Sequence, residues 1–360
     1  MAADKKMTMR ERMLSILRRE MPDEVPFVQY DGAAARNEEI WELVGRENMG
    51  ILRWSRLHEY VHNNTDFTEE DFSWKGLRGK SRSIVTPKGR LTKDVVYEPA
   101  LHTEFIINHY VKTLGDYEIL KSYLLNIKVV SGIDKYIRDD AELGDDGFPM
   151  AVLSRTAYQQ LWIQWVSLTD LTYHMADAPG IVEECISLLN DIQRKEFGFV
   201  RDASEKIPVH LVNFPDNVTA PAIGVNNFRK YCMPMYEELA GMLNPEIPIV
   251  AHMDGDLLPL SEAIAESSIG GVDSLSPPPD NDTSVSKGLS MWPDKRLMVN
   301  FPSSVHLAGP DIIYEKAERL LDEGGKSGRM WIQISENVPP GLWKVSYPQI
   351  IRAIKNHIYD

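Results

Sequence analysis

The period of the apolar positions changes along this chain, and each change marks an element. Residues 9–19 set Met13, Leu14, Ile16 and Leu17 among Arg and Glu, the spacing of an amphipathic helix that packs on something larger. Pro22 and Pro26 end it. Residues 25–30 then read as a short buried strand running into Asp31-Gly32, 37–44 as a helix and 51–54 as a second strand. Residues 65–98 alternate polar and β-prone positions around Gly76, Gly79 and the Pro87-Lys88-Gly89 turn, which predicts a hairpin insertion. Helical spacing returns at 110–127 and 131–142, followed by a strand at 148–153, a helix at 157–166 and a long helix at 181–204 with Pro179 in its first turn.

From residue 209 the alternation is cleaner. Strands are predicted at 209–213, 249–254, 272–275, 297–301 and 330–334, with helices at 227–242, 258–267, 310–322 and from 347 onward. Strand-helix alternation of this length predicts parallel strands joined by right-handed crossovers. About eight such strands close into a barrel, since an open doubly wound sheet carries a Gly-rich first turn that this chain lacks. Without an internal repeat or a low-complexity linker, the expectation is one domain over 1–360, with a helical extension at 1–24 and the hairpin insertion at 65–98.

One predicted strand ends in a way that asks for chemistry. Ile247-Pro248-Ile249-Val250-Ala251 is apolar and then gives His252-Met253-Asp254. Alternate side chains of an extended segment share a face, so His252 and Asp254 project together. Parallel barrels place their reactive groups at such C-terminal strand ends. The bland reading is a buried His satisfied by hydrogen bonds and an Asp capping the helix that follows. Other strand-end polar residues line up as candidate substrate contacts: Tyr30 and Asp31, Asn213 and Asp216, Asn300 and His306, with Trp54, Phe214 and Trp331 available as an aromatic wall. His58 and His62 have the spacing of one helix face, lack a third ligand and read as surface.

Composition narrows the function classes. With 53 acidic against 39 basic residues the formal net charge is −14, which repels nucleic acid and anionic membrane surfaces. Only Cys185 and Cys232 are present, far apart, so neither a disulfide framework nor a thiolate-rich metal site is written in the chain. No apolar run approaches the roughly 20 residues of a membrane span, and a cytoplasmic location is the expectation.

Several short pieces, taken in order, carry a family likeness. Met9-Arg10-Glu11-Arg12-Met13 to Pro22-Asp23-Glu24-Val25-Pro26, Thr86-Pro87-Lys88-Gly89, Val111-Lys112-Thr113-Leu114-Gly115-Asp116-Tyr117, the helix start at 228–234 and the His252 strand together resemble the uroporphyrinogen decarboxylase superfamily. Within it the chain resembles the corrinoid-dependent methyltransferase branch. The likeness covers nearly the whole chain and implies an α/β fold, a TIM-type (β/α)8 barrel with an N-terminal helical extension and a β-hairpin insertion. Porphyrinogen decarboxylases of this superfamily carry an Arg signature after the first strand, where this chain reads Tyr30-Asp31-Gly32-Ala33-Ala34-Ala35-Arg36 without it. The methyltransferase branch holds zinc with a His-x-Cys pair on one strand end and a Cys after the last strand. The matching positions are His252, Asp254 and, from the match of Glu336-Asn337-Val338-Pro339 to Cys-Gly-x-Pro, Glu336, with Asn337 and Gln333 as alternatives for the third.

The resemblance therefore implies a His252, Asp254, Glu336 zinc site with carboxylates where the branch has thiolates. Carboxylates leave zinc a harder Lewis acid, better matched to oxygen than to a thiol. The expected activity is transfer of a methyl group from a methoxylated, aromatic small molecule to the Co(I) corrinoid of a separate carrier protein. The chain has no Asp-x-His-x-x-Gly cobalamin motif, so the corrinoid comes with the partner. A metal-free decarboxylase of another carboxylated substrate, using Arg36, Arg53 or Arg56, is the competing enzyme reading. A barrel that binds a methylated ligand or a corrinoid protein without catalysis is the competing non-enzyme reading.

Overall fold

A computed structural model describes residues 6–100, 103–336 and 338–359. Eight parallel strands close on themselves: β1 Phe27–Tyr30, β2 Gly50–Ser55, β3 Gly147–Val152, β4 Val212–Phe214, β5 Ile249–His252, β6 Gly271–Leu275, β7 Arg296–Asn300 and β8 Met330–Ile334. Each strand pairs with its neighbours in chain order, and β1 closes the ring by pairing with β8 (Phe27 beside Ile332) and with β2 (Val28 beside Gly50). The protein is thus a TIM-type (β/α)8 barrel, as the alternation predicts.

The chain divides into two compact units, 1–57 with 133–153 and 203–360, and 58–132 with 154–202. All eight barrel strands lie in the first.

Alternation along the strands fills the barrel. Val28 and Tyr30 of β1, Leu52 of β2, Phe148, Met150 and Val152 of β3, Val250 of β5, Met298 of β7 and Trp331 of β8 form one buried cluster with Met9, Met13, Ile16 and Leu17. The last four belong to helix α1, Met9–Arg18, the amphipathic segment read from the sequence. A capping box starts α1, with Glu11 N–H donating to the Thr8 hydroxyl and Thr8 N–H to the Glu11 carboxylate. The helix plugs the N-terminal end of the barrel. At the first residue of β2 a Cβ on Gly50 would lie 2.4 Å from Met9 Cγ, so only glycine lets α1 come this close. At the first residue of β7, Arg296 Nε donates to the Leu17 carbonyl at 2.6 Å. That end is thus filled by the methionines and aliphatics of α1.

The second unit holds the insertion. The hairpin forms as Leu77–Thr86 and Gly89–Glu98, and Asp66–Trp74 and Thr103–Asn108 extend it to a four-stranded antiparallel sheet. The helix expected over 110–127 is shorter, Asp116–Leu125, and Ile127–Ser131 is a strand that pairs antiparallel with His58–His62. His58 and His62 therefore lie on a strand and not on a helix face. His58 is buried, and His62 stacks on Tyr123 with ring centroids 5.5 Å apart, which corrects the expectation of a surface pair. Among the described residues no helix is long and apolar enough to cross a membrane.

Candidate metal centre

β5 ends at His252 and β8 at Ile334, and the two residues after each strand bring a carboxylate back over the barrel mouth. His252 Nε2 stands 3.3 Å from Glu336 Oε1 and 3.9 Å from Asp254 Oδ2. One donor atom from each of His252, Asp254 and Glu336 lies within 4.8 Å of the other two. The spacing argument for His252 with Asp254 and the third position at the end of β8 thus meet in space. Asn337, the alternative third ligand, lies outside the described residues.

Beneath this triad sits a residue the sequence reading passed over. Asp273, in the middle of β6, is fully buried and accepts four hydrogen bonds. Its Oδ2 takes the Tyr30 hydroxyl, Asn213 Nδ2 at 2.7 Å and His252 Nδ1 at 3.1 Å, and its Oδ1 takes Gln333 Nε2 at 2.9 Å. Three of the four donors converge on Oδ2, so that oxygen is fully engaged. Because it only accepts, His252 Nδ1 must donate, and the Nε2 atom is left facing Asp254 and Glu336. That is the arrangement in which a metal-binding imidazole is oriented by a carboxylate behind it. The available signal was an Asp inside the strand predicted at 272–275, Val272-Asp273-Ser274-Leu275.

Electrostatics agree with the geometry. Burial pushes the His252 imidazole down, but hydrogen bonds to Asp273 and Glu336 and the charges of Asp273 and Asp254 outweigh it and hold the group up at about 10. Burial pushes the Asp254 carboxyl up, and neighbouring Glu336 adds to this against the pull of His252. Asp273 resists the same burial and is held low by His252, Tyr30 and Gln333. Three carboxylates surround a single imidazole here, an excess of negative charge at a largely buried point, which is the condition under which a divalent cation binds. One imidazole nitrogen and two carboxylate oxygens are donors that zinc accepts, and three protein ligands leave a fourth position for substrate. The residues present fit such an ion.

The other candidates have different surroundings. Tyr30 and Asn213 belong to the Asp273 network, and Asn300 holds the approach to Glu336, its Oδ1 accepting from Ser335 N–H at 3.1 Å. Trp54 is the aromatic at the rim: 44% exposed, its ring centroid is 5.6 Å from that of Tyr30. Asp31 is bound by Arg53 Nε at 2.5 Å and Asn37 Nδ2 at 2.7 Å. Phe214 and Trp331 are fully buried, Phe214 against Tyr236 and Trp331 inside the barrel with its indole N–H on Gln333, so neither is part of an open aromatic wall. Asp216 is buried and accepts from the Tyr236 hydroxyl at 2.5 Å.

His306 is structural. Its Nδ1 is 2.8 Å from the Ser346 hydroxyl, its ring rests on Phe301, and burial holds it down at about 4. An unfolded imidazole titrates near 6.5, so between these values the folded state binds fewer protons than the unfolded one. The stability this group contributes is complete above about pH 6.5 and is lost as pH falls toward 4, on the order of 3 kcal/mol. His306→Gln, which keeps a polar group against Ser346 and does not titrate, is expected to flatten the pH dependence of urea unfolding over that window by this amount. Parallel curves for the two proteins would show that His306 does not carry it.

No family model matches the chain, and no curated protein does. Among solved structures, a methyltransferase from Methanosarcina mazei is similar over 97% of this chain and 98% of that one, with a TM-score of 0.55 and 13% sequence identity. That is a likeness of fold, and it extends along the whole chain.

Proposed function

We propose that this protein is a methyltransferase that moves a methyl group from a methoxylated aromatic small molecule to a Co(I) corrinoid presented by a separate carrier protein. The observation that carries the reading is the convergence of His252, Asp254 and Glu336 at the barrel mouth with Asp273 behind His252. The similar solved structure is itself named a methyltransferase, which supports the class.

A divalent ion bound there, zinc by its donor set, supplies a Lewis acid for the ether oxygen from which the methyl group leaves. His252 would hold that ion through Nε2, because Asp273 holds the Nδ1 proton. Asp254 and Glu336 would contribute oxygen donors and negative charge to it, which suits an oxygen-bound methyl group better than a thiol. The Trp54 indole, exposed beside Tyr30, offers an aryl substrate a face to pack on.

The competing decarboxylase reading asks for a cation ready to grip a substrate carboxylate. Of its three candidates, Arg53 is already engaged by Asp31 at 2.5 Å, Glu142 at 2.8 Å and Asp139 at 3.5 Å, which removes it as that cation. The deciding experiment couples metal analysis of the purified protein to the absorbance change of Co(I) cobalamin across a panel of methoxylated aromatics. Metal bound near one equivalent and methylation of cobalt with at least one ether are expected. Turnover of a carboxylated substrate without cobalamin would replace this reading with the lyase.

A further inference from the structure

β6 departs from regular strand geometry at one residue. Its register against β7 shifts between Val272 and Leu275, and Ser274 has φ of 63°, in the left-handed region, while fully buried. A side chain there crowds the backbone carbonyl, and glycine takes the conformation without that strain. What the serine adds is a hydroxyl. In an alternating strand residues 273 and 274 would face opposite sides of the sheet, but the bulge turns both toward one cluster. Asp273 reaches His252, while Ser274 Oγ lies 2.6 Å from Ser335 Oγ and 3.2 Å from Glu336 Oε1.

The direction of these bonds follows from the end of the chain they form. Glu336 as a carboxylate only accepts, so the Ser274 hydroxyl donates to it. The Ser335 hydroxyl has two acceptors within reach, Ser274 Oγ at 2.6 Å and Asn300 Oδ1 at 3.2 Å; with the Ser274 proton on Glu336, the Ser335 proton goes to the nearer of them, Ser274 Oγ, and Asn300 Oδ1 keeps the Ser335 backbone N–H at 3.1 Å. Of the three ligands Glu336 is the least enclosed by the fold, its side chain 34% exposed against 5% for His252 and 24% for Asp254. It is the ligand that most needs an external hold.

We propose that Ser274 is a positioning residue for the metal centre, its hydroxyl fixing the Glu336 carboxylate in the orientation that completes the three-ligand set. The inference rests on reading His252, Asp254 and Glu336 as metal ligands and deepens that reading. The strained backbone is retained because a glycine would relieve the strain and lose the hydroxyl.

Two substitutions separate hydroxyl from backbone. Ser274→Ala removes the hydroxyl and keeps the strain, and Ser274→Gly removes both. The full-length protein is titrated with Zn²⁺ against a chromophoric chelator, its Co²⁺ form is examined by visible absorption, and its melting temperature is measured in excess chelator. Both variants are expected to bind Zn²⁺ about tenfold more weakly and to show altered cobalt bands, the usual effect of losing a partner that orients a ligand. The glycine variant is expected to melt no lower than wild type. Wild-type affinity in Ser274→Ala, whatever the glycine variant does, overturns the role of the hydroxyl. A wild-type protein that takes up neither Zn²⁺ nor Co²⁺ removes the metal reading itself, an outcome distinct from variants that bind as well as wild type.

Discussion

His252→Ala is expected to bind zinc at least a hundredfold more weakly than wild type and to lose methyl transfer to Co(I) cobalamin at any zinc concentration that leaves the wild type saturated. The size follows from the share of one ligand. Structural zinc sites bind with an apparent 10–16 kcal/mol over four ligands, which is about 2.5–4 kcal/mol for each. His252 is the sole nitrogen donor of the set, and the two carboxylates that remain repel each other without it. The same substitution also removes the positive charge among Asp254, Asp273 and Glu336 when no metal is bound, so its thermal stability in chelator should fall as well. In wild type the metal should raise the melting temperature, because an ion that binds only the folded state stabilises it by mass action. The variant should show no such rise. Zinc binding within tenfold of wild type would mean that the ion, if bound, sits elsewhere.

The barrel was legible because its strands are apolar runs that turn polar at one end, and that asymmetry is a direct image of a closed interior with one open face. His252 with Asp254 was legible for the same reason: two residues apart at a strand end share a face. Glu336 followed from the family likeness, and two residues past the last strand its carboxylate comes within 3.3 Å of His252 Nε2. Asp273 was passed over, because its one signal, an isolated Asp in a strand, has no periodicity of its own and its four partners come from β1, β4, β5 and β8, scattered over some 300 residues of sequence. The bulge at Ser274 escaped as well, since alternation, the rule used to assign faces, is the rule a bulge breaks. His58 and His62 show the converse failure. A spacing of four fits both one helix face and one strand face, and pairing with Ile127–Ser131, far along the chain, decided between them. Local pattern identifies elements that carry their own period, whereas a network assembled from five strands is a property of closure.

Asp273→Ala tests that closure most severely. The substitution removes the acceptor shared by Tyr30, Asn213, His252 and Gln333 and leaves four donors in an interior that offers few replacements. An unsatisfied buried donor costs about 1–3 kcal/mol, so even with partial relaxation the loss should be on the order of 4 kcal/mol, a large fraction of the roughly 5–15 kcal/mol of a typical domain. Asp273→Asn should lose less, since its amide oxygen still accepts, but its NH₂ group then meets a donor from Asn213 or Gln333. The metal site should fail in both variants for a reason separate from stability. Tyr30 OH lies 3.3 Å from His252 Nδ1, and with the carboxylate gone that hydroxyl donates to the ring nitrogen. The ring proton then moves to Nε2, the atom that must face the ion. Urea unfolding in chelator measures the first effect, and zinc affinity of the still-folded asparagine variant measures the second. A stability loss below about 0.5 kcal/mol in the alanine variant, the range of an ordinary surface substitution, would show that Asp273 does not anchor the barrel mouth. If the asparagine variant stays folded and binds zinc as wild type does, then His252 is oriented by packing alone and Asp273 serves the barrel and not the metal.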